Sequence, residues 1–193
     1  MFEFKPWPKI TRIENKRPPI FTEKIDGTNA CVVIEQHIVD GVLTKGATSD
    51  IKHCEVILEN NGYRISAQSR TRFISPDDDN YGFAKWVWSN AEELVKLGEG
   101  HHFGEWWGNG IQRGYDQEEK HFSLFNTRRW HKDNPNLPLC CKVVPIIRAS
   151  SLEEAKQILI SNGSFVAPGF MNVEGLVMYE PDTDTCFKVI INK

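Results

Sequence analysis

No stretch of the 193-residue sequence approaches the run of about 18 apolar residues that a membrane-spanning helix requires. The N-terminal segment MFEFKPWPKI lacks the apolar core of a signal peptide, so a soluble, cytoplasmic protein is expected. Cysteine is sparse and carries no pattern. Cys31, Cys54, Cys140, Cys141 and Cys186 form no C-x-x-C pair, and their odd number argues against a disulfide framework. They read as reduced, mostly buried thiols. His53-Cys54 and His101-His102 lack a second half with ligand spacing, which excludes the usual structural zinc patterns. The net charge of −3 gives no blanket attraction to nucleic acid, so any such contact must come from local basic clusters. Repeats, low-complexity tracts and obvious linkers are absent too.

What is present is a core. Hydrophobic residues make up 40% of the chain, with eleven phenylalanines and six tryptophans, enough for one packed domain. The stretch ACVVIEQHIV (30–39), Asp40-Gly41 and VLT predicts a hairpin with a D-G turn. A second hairpin is predicted from CEVILE (54–59), Asn60-Asn61-Gly62 and YRISAQS (63–69). Shorter strands follow at HHFGEWW, HFSLFN, CKVVPII, EGLVMYE and CFKVIIN. Residues 80–97 carry Phe83, Trp86, Val87, Ala91, Leu94 and Val95 at helical spacing. Ser151 and Glu154 form a capping box that opens a second helix over 152–162, stopped by Gly163. The expected class is α+β, mostly antiparallel strands with a few helices.

Within that frame one short stretch, FTEKIDGTNACVVI (21–34), sets Lys24 just before the first long strand. If the backbone is already extended there, Lys24 and Asp26 share one face, and Glu23 and Ile25 share the other. Gly27 permits close approach to the backbone. Taken alone, K-x-D-G is short and occurs by chance. Four more clusters follow in order: SAQSRTRF with Arg70 and Arg72, FGEWWGNGIQRGY with Glu105, HFSLFN with Phe122, then VEGLVMY with Glu174 and CFKVIINK with Lys188. Each has an ordinary structural reading as solvated arginine, strand edge or core aromatic.

As an ordered set, these segments resemble the motifs of covalent nucleotidyltransferases, the ATP-dependent polynucleotide ligases and capping enzymes. More narrowly the chain resembles the RNA ligase family, the branch of RNA-editing ligases and phage nick-sealing RNA ligases. EKIDGTN is similar to its nucleophile motif, ending in Asn29 where DNA ligases carry arginine. FGEWWGNGIQRGY is similar to its third motif, EGLV to its fourth and FKVIINK to its fifth. The resemblance spans roughly residues 20 to 193 and implies one adenylation domain over 1–193, ATP-grasp-like in fold. With the fifth motif at the end of this sequence, no C-terminal oligonucleotide-binding barrel is expected.

The resemblance implies a chemistry. AMP moves from ATP to a lysine, then to a 5′-phosphate, and is displaced by a 3′-hydroxyl. Lys24 would be the adenylated residue. A neutral lysine amine must then be reached from an ordinary pKa of about 10.4, which desolvation and nearby cations favour. The resemblance implies that Glu174 holds a divalent cation (Mg2+ or Mn2+), with Glu105 on the ribose or the metal shell. It puts Lys188 on the α-phosphate, Arg70 on a phosphate with Arg72 close behind, and Phe122 stacked on adenine. Asn29 would orient the ribose or the nucleic-acid end, and Glu23 would help read adenine, chiefly through its backbone. Asp26 completes the expected ATP/AMP-binding set.

Two features depart from the family pattern. Its fifth motif is usually K-x-K, and Ile190 stands where the second lysine is expected, so Lys193 or Lys142 would have to substitute. Substrate grip must come from this domain, from a partner, or from Arg113, Lys120, Arg128, Arg129 and Lys132, with Trp130 in NTRRWHK as a nucleic-acid contact. The leading reading is an RNA ligase acting on RNA ends. A small ATP-dependent DNA ligase, a capping-type guanylyltransferase, and an end-binding module that no longer completes ligation remain alternatives.

Overall fold

Alternating burial along short strands organises the chain into two sheets facing each other. The structure, a computed structural model, describes residues 16–38, 53–58 and 61–192. Strand β1 (Ile20–Lys24) buries Phe21 and Glu23 on one side and leaves Ile20, Thr22 and Lys24 partly exposed on the other. It pairs with β9 (Ile146–Ile147) and with β10 (Gly175–Glu180), and β11 (Thr185–Ile190) completes an antiparallel four-stranded sheet. The larger sheet has seven strands. Its path runs β3 (His53–Leu58), β4 (Asn61–Ser69), β2 (Thr28–Ile38), β6 (Gly100–Gly108), β7 (Lys120–Leu124) and β8 (Cys141–Val143), with β5 (Phe73–Ile74) paired to β4. Among the described residues only the β7–β8 pairing is parallel.

Most predicted elements form, and their departures have local causes. The second hairpin is the β3–β4 pair. The return half of the first one lies outside the described residues. The single helix predicted over 80–97 is broken into α1 (Phe83–Ser89), α2 (Ala91–Leu94) and a 3-10 turn at Val95–Leu97. Asn90 makes the break: its backbone leaves helical geometry and its side-chain amide donates to Trp86 O at 2.8 Å, offering the chain a competing local bond. The CKVVPII strand splits at Pro145, which cannot donate to a ladder, so β8 joins one sheet and β9 the other. Helix α3 (Leu152–Asn162) starts where Ser151 Oγ accepts the Glu154 N–H at 3.2 Å, and ends at Gly163. Lys24 closes the short strand β1, which the sequence reading did not separate from β2.

Helices cover the backs of both sheets. Ala30, Val32, Ile34 and Trp106 of the large sheet pack against Phe83, Val87 and Leu94. Phe21 and Leu176 of the small sheet pack against Ala155 and Leu159 of α3. Between the two front faces lies a cleft of about 770 Å³, lined among others by Thr22, Lys24, Phe103, Glu105, Phe125 and Val177.

Phe122 does not reach that cleft, contrary to the expectation that it stacks on adenine. It is fully buried on the helix side, its ring 5.1 Å from Phe83 and 5.6 Å from Trp86. The register explains why. Phe122 lies opposite Trp106, while its neighbour Ser123 lies opposite Glu105, so Phe122 and Glu105 sit on opposite faces. Phe122→Ala is expected to cost about 3–5 kcal/mol in urea denaturation, as for a buried aromatic. A loss within the roughly ±0.5 kcal/mol typical of surface sites would contradict the core placement.

Candidate active site

At the end of β1, the Lys24 ammonium meets Glu174 Oε2 at 2.6 Å, with side-chain exposures of 25% and 16%. The β1–β10 register places Lys24 directly opposite Gly175, the residue after Glu174. A Cβ on Gly175 would stand 2.0 Å from Val189 O, so β10 and β11 close here only around glycine. The loop that follows Lys24 is held at three polar points. The Asp26 N–H donates to Tyr115 Oη at 2.7 Å, and the Gly27 N–H donates to Glu105 Oε1 at 3.2 Å. The Asp26 carboxylate accepts Arg113 Nε–H at 2.8 Å. Gly27 runs against β6 so closely that a Cβ would lie 2.4 Å from Trp106 O. Glu105 itself sits on β6 opposite Asn29 of β2, which puts both side chains on the cleft face.

The electrostatics follow from this crowding. Burial pushes the Glu105 carboxyl up to about 7; Lys24 and the Gly27 N–H draw it down, and Glu174 and Asp26 oppose them. Glu23, pointing away from Lys24, is also pushed up by burial, while Ser164 Oγ and the N–H groups of Phe165 and Val166 hold it back at 2.6, 2.8 and 3.2 Å. Its own N–H donates to Pro145 O at 3.0 Å. The Glu23 side chain and N–H are thus spent on internal bonds that anchor the 164–166 turn, and neither is available to an adenine ring.

Lys188 faces the cleft by register. It lies opposite Val177 and two residues after Cys186, both of which line it. Ile190 lies in the row of Lys24 and Gly175 and is exposed. Lys142 is held over the Trp107 ring at 5.2 Å, and Lys193 lies outside the described residues. Arg70 is exposed in the turn after β4, and Arg72 is committed to Asp78. Arg128 and Arg129 line the far end of the cleft. Arg128 lies near the Tyr179 hydroxyl, which itself donates to Asp184 Oδ1 at 2.8 Å, and Arg129 caps Leu97 O and lies over the Trp130 ring at 4.8 Å. Trp130 is buried, so it packs inside rather than meeting nucleic acid. Lys120 is tied to Tyr81 O at 2.8 Å, and Lys132 is exposed. Arg113 gives its donors to Asp26, Asn172 and Asn192, which removes it from the substrate-gripping set.

The cleft holds aromatics that the sequence reading missed, Phe103 and Phe125 among them. Phe103 and Phe125 are 46% and 39% exposed and line the same face as Glu105. The signal was available in the strand period: Phe125 is two residues from Ser123, and Ser123 is opposite Glu105.

Among the described residues no group of three or more His, Cys, Asp and Glu side chains is gathered to hold a metal ion. Mg2+ commonly takes one or two carboxylates and fills its shell with water and substrate phosphates. Glu174 and Glu105, both acting on Lys24, fit that mode.

Two outcomes are expected from this geometry. Gly27→Ala forces Cβ into Trp106 O and should displace the loop carrying Asp26; a circular-dichroism melt unchanged from wild type would contradict it. Glu105 has a folded pKa raised above its ordinary 4.5, so it contributes stability that is full below that value and lost as pH rises through about 7. Glu105→Gln should remove that slope from urea midpoints measured across the window. Parallel pH profiles for the two proteins would show that Glu105 is not desolvated.

The sequence model of the RNA ligase family matches residues 17–190. The comparison with curated proteins returned no match. Among solved structures, the chain is similar to a Naegleria gruberi RNA ligase variant with ATP and Mn: 20% identity, TM-score 0.54, covering 92% of this chain and 51% of that one. The same Naegleria gruberi enzyme with PPi gives 22% identity, TM-score 0.54, and 92% and 50% coverage. The chain therefore spans about half the length of these neighbours. The likeness fixes the fold, and the family match covers nearly the whole chain. This chain belongs to the RNA ligase family.

Proposed function

We propose that the chain is an ATP-dependent RNA ligase domain in which Lys24 is the nucleophile. The observation that carries this reading is the Lys24–Glu174 pair at 2.6 Å, set in a cleft between two sheets and flanked by the buried Glu105. Phosphoryl transfer asks a protein mainly for positioning and charge neutralisation. Lys24 Nζ, after giving up a proton, attacks the α-phosphorus of ATP. A P–N bond forms as the bond to the bridging oxygen breaks, and pyrophosphate departs. AMP then passes to the 5′-phosphate of an RNA end, regenerating the lysine, and a 3′-hydroxyl displaces AMP to seal the strand.

Lys188 approaches the phosphates from β11, and Asn29 lies beside Glu105 for the ribose. Phe103 and Phe125 supply the apolar surface for adenine, in place of Phe122. Arg70 remains a candidate phosphate contact, and Arg128 is the rim cation best placed to meet RNA. Glu174 and Glu105 would hold Mg2+ or Mn2+, which would offset negative charge on the phosphates.

Ile190 favours a second reading, a module that binds ends without completing ligation. It occupies the row of Lys24, where the family's second lysine would stand, and Lys142 is held elsewhere. Losing one preorganised donor costs about 2.7–4 kcal/mol, or roughly 10² to 10³ in rate.

Intact mass after incubation with ATP and Mg2+ should rise by one AMP, and Lys24→Ala should abolish the gain. No gain in wild type favours the end-binding module, and a gain that survives Lys24→Ala removes Lys24 as nucleophile. Following label onto nicked RNA and nicked DNA then separates the two ligase readings. Ile190→Lys should raise the self-adenylation rate if the site lacks a cation; an unchanged rate in a folded variant means that charge is supplied from elsewhere.

A further inference from the structure

Arg113 donates to three segments at once: Nε to Asp26 Oδ2 at 2.8 Å, Nη1 to Asn172 O at 3.1 Å and Oδ1 at 2.8 Å, and Nη2 to Asn192 O at 2.9 Å. Each segment carries, two positions away, a residue of the ion pair or of its row: Lys24 before Asp26, Glu174 after Asn172, and Ile190 before Asn192. The guanidinium is 14% exposed, so these bonds are made largely out of water. Neighbouring bonds stiffen the same junction. The Ile191 and Asn192 N–H groups donate to Glu174 O at 2.8 and 3.2 Å, and Asn192 Nδ2 donates to Val173 O at 2.9 Å.

The segment that carries Arg113 is built to hold it there. Ile111 is fully buried, and its carbonyl accepts the Gly114 N–H at 2.9 Å. Gln112, Tyr115 and Asp116 adopt left-handed backbone at φ 45, 54 and 53, an arrangement that persists only where surrounding contacts enforce it. The result brings two side chains of one strained turn onto one residue: Arg113 on the Asp26 carboxylate and Tyr115 on its N–H.

We propose that Arg113 is a positioning residue, a three-way latch that fixes Lys24 against Glu174 by joining the loop after β1 to both flanks of the β10–β11 pair. It acts through Asp26 and Asn172, not on ATP, and the cleft surfaces that would take the base and ribose do not depend on it. Arg fits because its rigid fork reaches acceptors in several directions, which a lysine ammonium on a flexible stem cannot do. The role rests on the assignment of Lys24 as nucleophile.

The test is single-turnover self-adenylation over a range of ATP concentrations, with melting curves, for wild type, Arg113→Met, Arg113→Lys and Asn172→Ala. Misplacement of a reacting group by about 1 Å costs on the order of 10² in rate. The limiting rate of Arg113→Met should fall by about that factor with half-saturating ATP unchanged, and Arg113→Lys should not restore it. Asn172→Ala removes one acceptor at an exposed position and should slow the limiting rate less, with wild-type melting. It decides the matter if Arg113→Met does not fold. A wild-type limiting rate in either folded variant, or a loss confined to half-saturating ATP, overturns the proposal. A crystal structure of Arg113→Met, or of Asn172→Ala if that variant alone folds, reads the latch without activity: the Lys24–Glu174 contact should open, and its retention at 2.6 Å overturns the latch. Failure of wild type to take up AMP counts instead against the nucleotidyl-transfer reading.

Discussion

The structure turns on one ion pair, Lys24 with Glu174, made between the last residue of β1 and the residue just before β10. Two charges this far out of water are costly unless geometry and further bonds compensate. The antiparallel register supplies the geometry by bringing the ends of β1 and β10 side by side, and two glycines allow the backbones to close in. Gly175 lets β11 pass and Gly27 lets the loop lie on β6. A slip of one residue in β1 would turn Lys24 to the helix side and Glu23 into the cleft. Phe21, packed against α3 from the same strand, resists that slip.

Charge around the pair is arranged as a sequence of partial compensations. Glu105, with its carboxyl raised to about 7, sits where Lys24 favours its charge and Glu174 and Asp26 oppose it. Asp26 is answered by Arg113, which is itself satisfied by three segments. The Lys24 ammonium thus pairs directly with Glu174 while its field also reaches the buried Glu105. The deep half of the cleft is ionic and tightly bonded. Its far half, with Phe103, Phe125 and Arg128, is more exposed and suited to a planar base.

Much of this was legible in the sequence because it is local. The Lys24 motif, the glycine beside it, the Ser151 cap and the α+β alternation are each written in a few consecutive residues. Phe122 belongs to the core because successive residues of HFSLFN alternate faces, a parity that the motif alone does not show. Counting by twos from Glu105 through Ser123 leads to Phe125. The split of CKVVPII was signalled by Pro145, whose consequence needs a second sheet to become visible. Arg113 could not have been placed from sequence, since its partners lie 87, 59 and 79 residues away. Its neighbours read only as part of a glycine-rich turn, whereas three left-handed non-glycine residues in that turn mark it as strained.

The central claim is that Lys24, and no other residue, receives the nucleotide. Mapping the covalent adenylate tests it most directly: the protein is incubated with ATP and Mg2+, digested, and its peptides sequenced by mass spectrometry under conditions that preserve a P–N bond. The account predicts a single AMP-bearing peptide with the modification on Lys24 within FTEKIDGTN. An adenylate carried by Lys188 or any other residue would contradict it.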